Sequence, residues 1–354
     1  MANNFPDLWS CCANTPLRLS PRPNGSSGQA KGRGIGLNIL NGMLKYFAGI
    51  CCAVVMHSLP FGEGWGGVYA QQDPQYSQYM FNQLVLNPAY AGTREVFSSA
   101  LAYRNQWTGM EGGPTTASLS MQTPLKKKNA GVGLEILSDK LGLKKTGAIL
   151  GSYAYRFQFL KGKLSMGMRA GVYSYAFDLA KAHVKDPSDV FNPGITSSKT
   201  TGTFDFGIYY YTRVFYWGFG MTHLNRGKIS EITSAGVTAN QSIHFFMPMG
   251  RSFEMGSAIF NPSILIKGAG GAVPEADVNF NFLLKEKFWI GTSWRSGYGV
   301  VFLTQYLVNE KLKIGYSYDY GFNAIGKAGK GTHEIMIGYD MNVKGAKVET
   351  LRYF

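Results

Sequence analysis

Apolar and polar side chains alternate along most of this chain, from about Thr93 to Val343, in stretches of roughly ten residues. Successive side chains of a β-strand point to opposite faces, so each stretch would present one apolar and one polar face. Residues 311–321 show the design, with one face formed by Leu312, Ile314, Tyr316, Tyr318 and Tyr320 and the other by Lys311, Lys313, Gly315, Ser317 and Asp319. The pattern favours strands with hydrocarbon on one side and water on the other.

The alternation predicts strands near residues 94–104, 115–123, 129–137, 146–159, 163–177, 202–212, 214–225, 241–249, 253–266, 275–284, 287–295, 299–308, 311–321 and 332–343. That is about fourteen, an even number, as in bacterial outer-membrane barrels. No run of apolar residues is long enough for a transmembrane helix. We therefore expect an all-β fold, an antiparallel transmembrane β-barrel over residues 94–343 with short periplasmic turns and long extracellular loops.

The predicted connections alternate between long and short. The long ones are 105–114, 138–145, 179–201, 225–240, 267–274 and 322–331, the shorter ones are 124–128, 160–162, 212–213, 249–251 and 285–286, and 296–298 breaks the rule. Outer-membrane barrels sort their loops in this way. The short turns carry many Lys and Arg residues, among them Lys126, Lys127 and Lys128. This basic collar would either contact lipid headgroups or dock an acidic periplasmic partner.

The residues before the barrel have the composition of an export signal. The apolar run 46–56 follows Lys45, and small or apolar residues precede Gln71, so we predict a signal peptide over 43–70, cut after Ala70. Residues 1–42 are either a disordered leader or a stretch upstream of a true start at Met43. We expect 71–93 to be a periplasmic N-terminal segment and a possible plug, and 344–354 to be a periplasmic tail.

Charge and motifs exclude several function classes. Residues 1–70 hold +3 of the net charge of +14, and a basic exported surface attracts anionic lipid or an acidic protein. No motif accompanies this charge that would indicate nucleic acid. All four cysteines precede residue 71 and the histidines are scattered, so we predict no metal and no cofactor. Asp186 and Asp189 share the longest loop, either as weak cation ligands or as ordinary solvated residues.

Several uncommon blocks follow one another in order. The first begins with Gln72, Asp73 and Pro74, the second spans 86–92 and contains Asn87, Pro88 and Gly92, and the third, 103–107, contains Arg104, Gln106 and Trp107. With 131–133, 139–142 and the end at 352–354, these blocks resemble the PorP/SprF family of Bacteroidota outer-membrane proteins, associated with type IX secretion and gliding motility. The resemblance covers essentially the whole chain after residue 70.

The resemblance implies a non-enzymatic outer-membrane barrel that supports export or surface attachment of a secreted adhesin-like protein. It also implies a periplasmic, peptidoglycan-associated lipoprotein and secretion motor components as partners. The residues leave open a passive, porin-like solute channel, in which lumen-facing Arg169, Asp205, Asp277 and Glu334 would tune selectivity. A barrel that imports hydrophobic molecules fits less well, because the predicted lumen faces are polar. Loops 179–201 and 225–240 are the candidates for holding the exported protein.

The sequence also leads to predictions for individual residues in these blocks. The segment 71–93 is too polar to face lipid, and it would act as a tether for the first strand or as a plug or docking element. Pro88 biases Asn87 away from helix, and Gly92 allows a tight entry into the barrel. Arg104 is expected in the lumen beside an acidic or carbonyl partner. Trp107 is expected to anchor the interface with its N–H near water.

Overall fold

The structure of the chain is a computed structural model that describes residues 73–125, 129–178, 196–232, 237–270 and 272–343. These residues lie within one compact unit, Val54–Phe354. No helix within these ranges is both long and apolar enough to cross a bilayer. The predicted leader, signal peptide and tail lie outside the described residues, and so do the candidate residues Gln72, Lys126, Lys127, Lys128, Asp186 and Asp189.

The described part of the chain is almost entirely strand. Its elements are β1 Phe97–Asn105, β2 Thr115–Pro124, β3 Ala130–Leu141, β4 Lys144–Phe159, β5 Gly162–Asp178, β6 Thr196–Tyr211, β7 Phe215–Thr222, β8 Lys228–Ile232, β9 Val237–Asn240, β10 His244–Arg251, β11 Phe253–Met255, β12 Ala258–Ala269, β13 Glu275–Leu284, β14 Phe288–Arg295, β15 Gly299–Leu307, β16 Leu312–Gly321, the helix α1 Ala324–Ala328, and β17 Thr332–Met341. Fourteen strands form one closed antiparallel barrel, in which β1 pairs with both β2 and β17. The predicted fold is confirmed.

Apolar side chains cover the outside of the barrel and polar side chains fill the inside. In β1, Leu101 is 49% and Tyr103 51% exposed, whereas Arg104 on the other face is 1% exposed. The apolar exterior continues from strand to strand through ladder partners, in the order Ile314, Ile337, Leu101, Leu119, Ile136 and Ile149. This distribution is the reverse of a soluble protein's. Each of the fourteen barrel strands has a hydrogen-bonded neighbour on both sides, so the barrel pairs its backbone and presents apolar side chains outward, as a bilayer requires.

The two ends of the barrel differ in their connections. We call the turn rim the end that carries the connections at 125–129, 160–161, 212–214, 256–257, 285–287 and 308–311, together with the start of β1 and the end of β17. The opposite end is the loop rim, with connections at 106–114, 142–143, 179–195, 223–243, 270–274, 296–298 and 322–331. The predicted sorting holds only in part, because 142–143 and 296–298 on the loop rim are short. The predicted long connection 267–274 shrinks to 270–274, no longer than 125–129 on the turn rim, since Lys267 already pairs with Glu275.

Two predicted connections are wrong. Residues 138–145 are not a long loop, because β3 runs to Leu141 and β4 starts at Lys144, with Asp139 opposite Thr146 in the ladder. Ladder hydrogen bonds satisfy the backbone whatever the side chains are, so strands continue beyond the apolar pattern. Residues 249–251 are not a turn, since Gly250 pairs with Ser263 and the chain reverses at Gly256, whose φ is +65°.

A third correction concerns residues 225–240, which the pattern predicts as an open loop. They contain the hairpin of β8 and β9 at the loop rim. Ile229 in this hairpin is buried against Leu137, Leu150 and Tyr173 from the barrel wall. Its apolar contact explains why a strand forms here, and the register shift between Lys228 and Ser230 breaks the alternation that would reveal the strand in the sequence.

Candidate functional site

Residues 73–93, which we call the lumenal segment, lie inside the barrel. Its apolar side chains pack with wall residues such as Tyr209, Leu265 and Trp289 in one buried cluster, and Phe81 meets Trp289 edge to face at 5.8 Å between ring centroids. Its polar side chains are buried too, among them Ser77, Gln78, Asn82, Gln83 and Asn87. The lumen therefore buries both the apolar and the polar side chains of the segment.

Three turns of 3-10 helix shape the segment, at Tyr79–Phe81, Gln83–Val85 and Pro88–Tyr90. Asn87 is extended, with φ −149° and ψ 113°, and its side chain accepts a hydrogen bond from the backbone N–H of Ala89 at 2.9 Å. Pro88 takes the first position of its turn, where a missing N–H leaves nothing unpaired. Gly92 has φ +72° and turns the chain toward β1, as the sequence indicates.

Wall side chains bind the main chain of the segment. The Glu334 carboxylate accepts hydrogen bonds from the backbone N–H groups of Ser77 at 2.8 Å and Gln78 at 2.9 Å. Arg169 donates to the carbonyl oxygens of Leu84 and Val85, each at 3.4 Å. Four further wall residues bind main-chain atoms of the segment: Arg295, Ser165, Arg156 and Gln122. These contacts recognise the path of the backbone more than its side chains.

Glycines in the wall make room for the segment. A Cβ atom on Gly167 would lie 2.4 Å from the backbone nitrogen of Ala89, and one on Gly131 would lie 2.4 Å from the Ala91 carbonyl oxygen. Similar collisions, within 2.6 Å of the segment, would occur at Gly207, Gly220 and Gly315. Because the colliding atoms at Gly131, Gly167 and Gly220 belong to backbone, no rotamer change relieves those overlaps.

Charged side chains form a network around the start of the segment. Arg104 pairs with Asp319 at 2.7 Å and with Glu334 at 3.0 Å, and all three are at most 1% exposed. The Ser77 hydroxyl accepts a hydrogen bond from Arg104 and donates to Asp319. Arg295 extends the network, at 3.4 Å from Asp319. The expected acidic partners of Arg104 are thus Asp319 and Glu334.

A second network lies on the other side of the lumen. Arg169 pairs with Glu135 at 2.7 Å and with Asp205 at 2.5 Å. Asp205 in turn accepts a hydrogen bond from the backbone N–H of His223 at 2.8 Å. The cation that binds the carbonyl groups of Leu84 and Val85 is therefore oriented by two carboxylates, one from the adjacent strand β6 and one from β3, two strands away on the other side.

Asp73 connects the segment to the loop rim. Its carboxylate lies 2.9 Å from His223 Nε2 and 3.4 Å from His244 Nδ1. Burial alone would raise the pKa of Asp73, but the charges of the two histidines hold it below its ordinary value. Burial lowers the pKa of His223, and the Asp73 carboxylate more than offsets this, so the net shift is upward. Both shifts favour a charged pair.

The structure brings some predicted residues together and leaves others apart. Asp73, Pro74, Asn87, Pro88, Gly92 and Arg104 are in or beside the lumenal segment. Gln106 is buried at the loop rim, where its backbone N–H donates to Pro114. Trp107 differs from expectation, because its indole N–H is buried without a hydrogen-bond partner in the described structure. The residue as a whole is partly exposed, and its backbone lies against Gly329.

The sequence alone does not reveal several of the wall residues that bind the lumenal segment or orient its ligands. Alternation alone does not identify Glu135, Arg156, Asp319 or Arg295 as ligands of the segment. The histidines, scattered in the sequence, include His223 and His244, which meet at Asp73. A usable signal exists, since Glu135, Asp319 and Arg295 lie on the polar face of an alternating strand. A charged residue there faces the lumen and needs a partner. The identity of that partner is set by strand order and register, which one sequence does not give.

Residues 68–339 match the family model described as type IX secretion system membrane protein PorP/SprF. The chain belongs to the PorP/SprF family. A polar lumen and an apolar exterior agree with a membrane component of that system. None of the curated proteins compared with this PorP/SprF chain is similar to it in sequence.

Several solved outer-membrane barrels are similar in outline to this PorP/SprF protein. Omp33 of Acinetobacter baumannii is 7% identical, with 70% of this chain and 100% of that chain covered and a TM-score of 0.42. The CymD monoaromatic hydrocarbon channel is 11% identical, with 76% of this chain and 94% of that chain covered and a TM-score of 0.43. The translocator domain of the autotransporter NalP from Neisseria meningitidis is 9% identical, with 70% of this chain and 87% of that chain covered and a TM-score of 0.37.

Gly167→Ala tests the fit between wall and segment. We expect it to lower the free energy of unfolding by about 1 to 3 kcal/mol, because the new methyl group overlaps the Ala89 backbone. Thermolysin should also cut the segment faster. Gly151→Ala on the neighbouring strand is the matched control, because the nearest atom to its Cβ is 3.9 Å away. Equal urea midpoints for the two variants would contradict the fit.

Arg104→Leu tests the first charge network. Removing the cation leaves Asp319 and Glu334 without the partner they share, which for a buried pair costs about 3 to 5 kcal/mol. The urea midpoint of protein refolded in lipid vesicles should fall accordingly. Arg213→Leu, in an exposed turn, should change it by less than about 0.5 kcal/mol. A stability loss for Arg104→Leu no larger than for Arg213→Leu would refute a structural role for the network.

Proposed function

We propose that this protein is a non-enzymatic outer-membrane scaffold of the type IX secretion system. Its lumen is plugged by its own segment 73–93, and it supports export or surface attachment of a secreted adhesin-like protein. Membership of the PorP/SprF family supports the system. The observation that carries the proposal is the lumenal segment itself, held through its main chain by charged residues from several strands.

The filled lumen argues for a scaffold over a solute channel. Tyr79, Met80, Leu84 and Tyr90 are each at most 4% exposed although they belong to a segment inside the barrel. A water-filled passage for solutes would leave such side chains wet. Arg169, Asp205, Asp277 and Glu334 face the lumen as expected, but they are at most 3% exposed. Glu334 and Arg169 bind the main chain of the segment, Asp205 pairs with Arg169, and Asp277 pairs with Arg295, which itself binds the Tyr76 carbonyl oxygen. Their role in this proposal is to hold the segment.

The orientation of the barrel follows from its loops. Outer-membrane barrels carry short turns on the periplasmic side and longer loops outside. We therefore assign the turn rim to the periplasm and the loop rim to the cell surface. The candidate surface for the adhesin-like protein is the loop rim, and the hairpin of β8 and β9 is the described part of the candidate loop 225–240. The candidate loop 179–201 lies mostly outside the described residues.

The turn rim is the candidate surface for the periplasmic partners. Five exposed cations occupy it, Lys161, Arg213, Lys285, Lys287 and Lys311, together with three exposed anions, Glu254, Glu286 and Glu310. The described part of the collar is therefore less basic than the lysines alone suggest. A cavity of about 1080 Å³ opens here, and its charged lining is net positive, with the cations Arg94, Lys285, Lys287, Lys311 and Lys313 against the anions Glu286, Glu310 and Asp340. An acidic segment of a peptidoglycan-associated lipoprotein or of the secretion motor would fit this cavity.

Conductance tests the plug. In planar bilayers the protein should be electrically silent, because the segment fills the lumen. Deletion of residues 74–91 should give a steady current, provided that heat-modifiable migration on gels shows an intact barrel. A steady current from the unaltered protein would instead favour the passive channel.

Charge reversal tests the docking surface. We expect Lys285→Glu, Lys287→Glu and Lys311→Glu together to abolish recovery of secretion components with the affinity-purified barrel, because an acidic partner would meet like charges. The same change at Lys327 and Lys330, exposed on the loop rim, is the matched control. Undiminished recovery from an intact turn-rim variant would remove this surface from the proposal. In the turn-rim variant, secretion of the adhesin-like protein should fall together with the recovery of secretion components.

A further inference from the structure

The two ends of the lumenal segment lie at opposite rims of the barrel. At its start, Asp73 contacts His223, which follows the last residue of β7, and His244, the first residue of β10. Both histidines are on the loop rim. Lys144, the first residue of β4 on the same rim, interacts with the same carboxylate.

At its other end the segment reaches the turn rim. The backbone N–H of Gly92 donates to Gln122 near the end of β2, and Ala91 crosses Gly131 at the start of β3. Arg94 then pairs with Asp340 at 2.8 Å, next to the last residue of β17. The first strand starts from this rim at Phe97.

The contacts between these ends show a folded path. Ser77 lies below the loop rim, beside Glu334, the third residue of β17. Phe81 descends to Trp289, the second residue of β14 from the turn rim. Leu84 rises again to mid-height at Arg169, and Ala89 descends past Ser165. The segment thus doubles back once, but it begins and ends on opposite sides of the membrane.

We propose that the amino end of the lumenal segment opens to the cell surface, so that the surface offered to the exported protein includes this end of the chain. This step rests on the proposed function for its orientation. Cleavage after Ala70 would leave two residues before Asp73, which span at most about 7 Å. A processed chain would then start at the loop rim, on the far side of the membrane from the start of β1.

The clasp formed by Asp73, His223 and His244 holds this end in place. Thr203 binds the other ring nitrogen of His223 at 3.0 Å, and the Tyr173 ring packs against the imidazole at 5.1 Å between centroids. Both residues belong to long strands of the barrel wall. Because the imidazole is fixed from two sides, it offers Asp73 a preformed partner at the mouth of the lumen.

Single cysteines test this topology, because the chain has no cysteine after residue 52. Pro74→Cys and Gln75→Cys are the two probe variants, since both positions are half-buried at the amino end of the segment. Ala328→Cys marks the loop rim and Ser257→Cys the turn rim, and both positions are exposed. The unaltered protein gives the background.

Whole cells are treated with a membrane-impermeant maleimide before and after the outer membrane is permeabilised. We expect the probe variants to label together with Ala328→Cys before permeabilisation, with no gain afterwards, whereas Ser257→Cys labels only afterwards. Labelling of both probes with the pattern of Ser257→Cys would overturn the inference. So would a lack of labelling at both probes while both markers react. If Ala328→Cys and both probes label only after permeabilisation, the assumed orientation of the barrel is wrong, but the placement of the amino end at the loop rim is still supported.

Discussion

The lumen of this barrel has to satisfy the backbone of a segment that makes little regular structure of its own. Single 3-10 turns pair few of their N–H and C=O groups internally, and a buried unpaired group costs about 1 to 3 kcal/mol. The carboxylate of Glu334 and the guanidinium of Arg169 meet this need, each at two successive main-chain groups. The two oxygens of Glu334 accept one N–H each, whereas a single nitrogen of Arg169, Nη1, lies 3.4 Å from both carbonyl oxygens, so the carboxylate makes the shorter and stronger contacts.

Burial of apolar side chains and pairing of charged side chains contribute differently to the binding of the segment. If the segment left, water could enter the lumen and hydrate Arg104, Asp319 and Glu334, so their pairing is a weaker force for insertion than their burial suggests. Phe81 and Tyr90 have no such alternative, because burying an aromatic side chain is worth about 1.5 to 3 kcal/mol that water does not replace. The apolar cluster drives insertion, and the charges and wall glycines fix the register.

Local periodicity predicts the parts of this fold that depend on alternation alone. The predicted strand 275–284 has the same bounds as β13, and the predicted strand 115–123 ends one residue before β2 does. Prediction fails where pairing overrides composition, as at Asp139 opposite Thr146, or where one glycine reverses the chain, as at Gly256. The site is harder. The polarity of 71–93 excludes lipid, but the contact between Ser77 and Glu334 joins residues 257 positions apart and depends on closure of the barrel.

Closure and occupation of the lumen are therefore coupled. Glu334 and Asp319 come from the last two strands, whereas Ser77 and Arg104 come from the segment and β1. Pairing of β1 with β17 places Arg104 directly opposite Glu334. Until β1 pairs with β17, the start of the segment lacks its main ligands, and in the closed barrel wall residues from several strands contact the segment. Closure of the barrel and occupation of its lumen therefore stabilise each other.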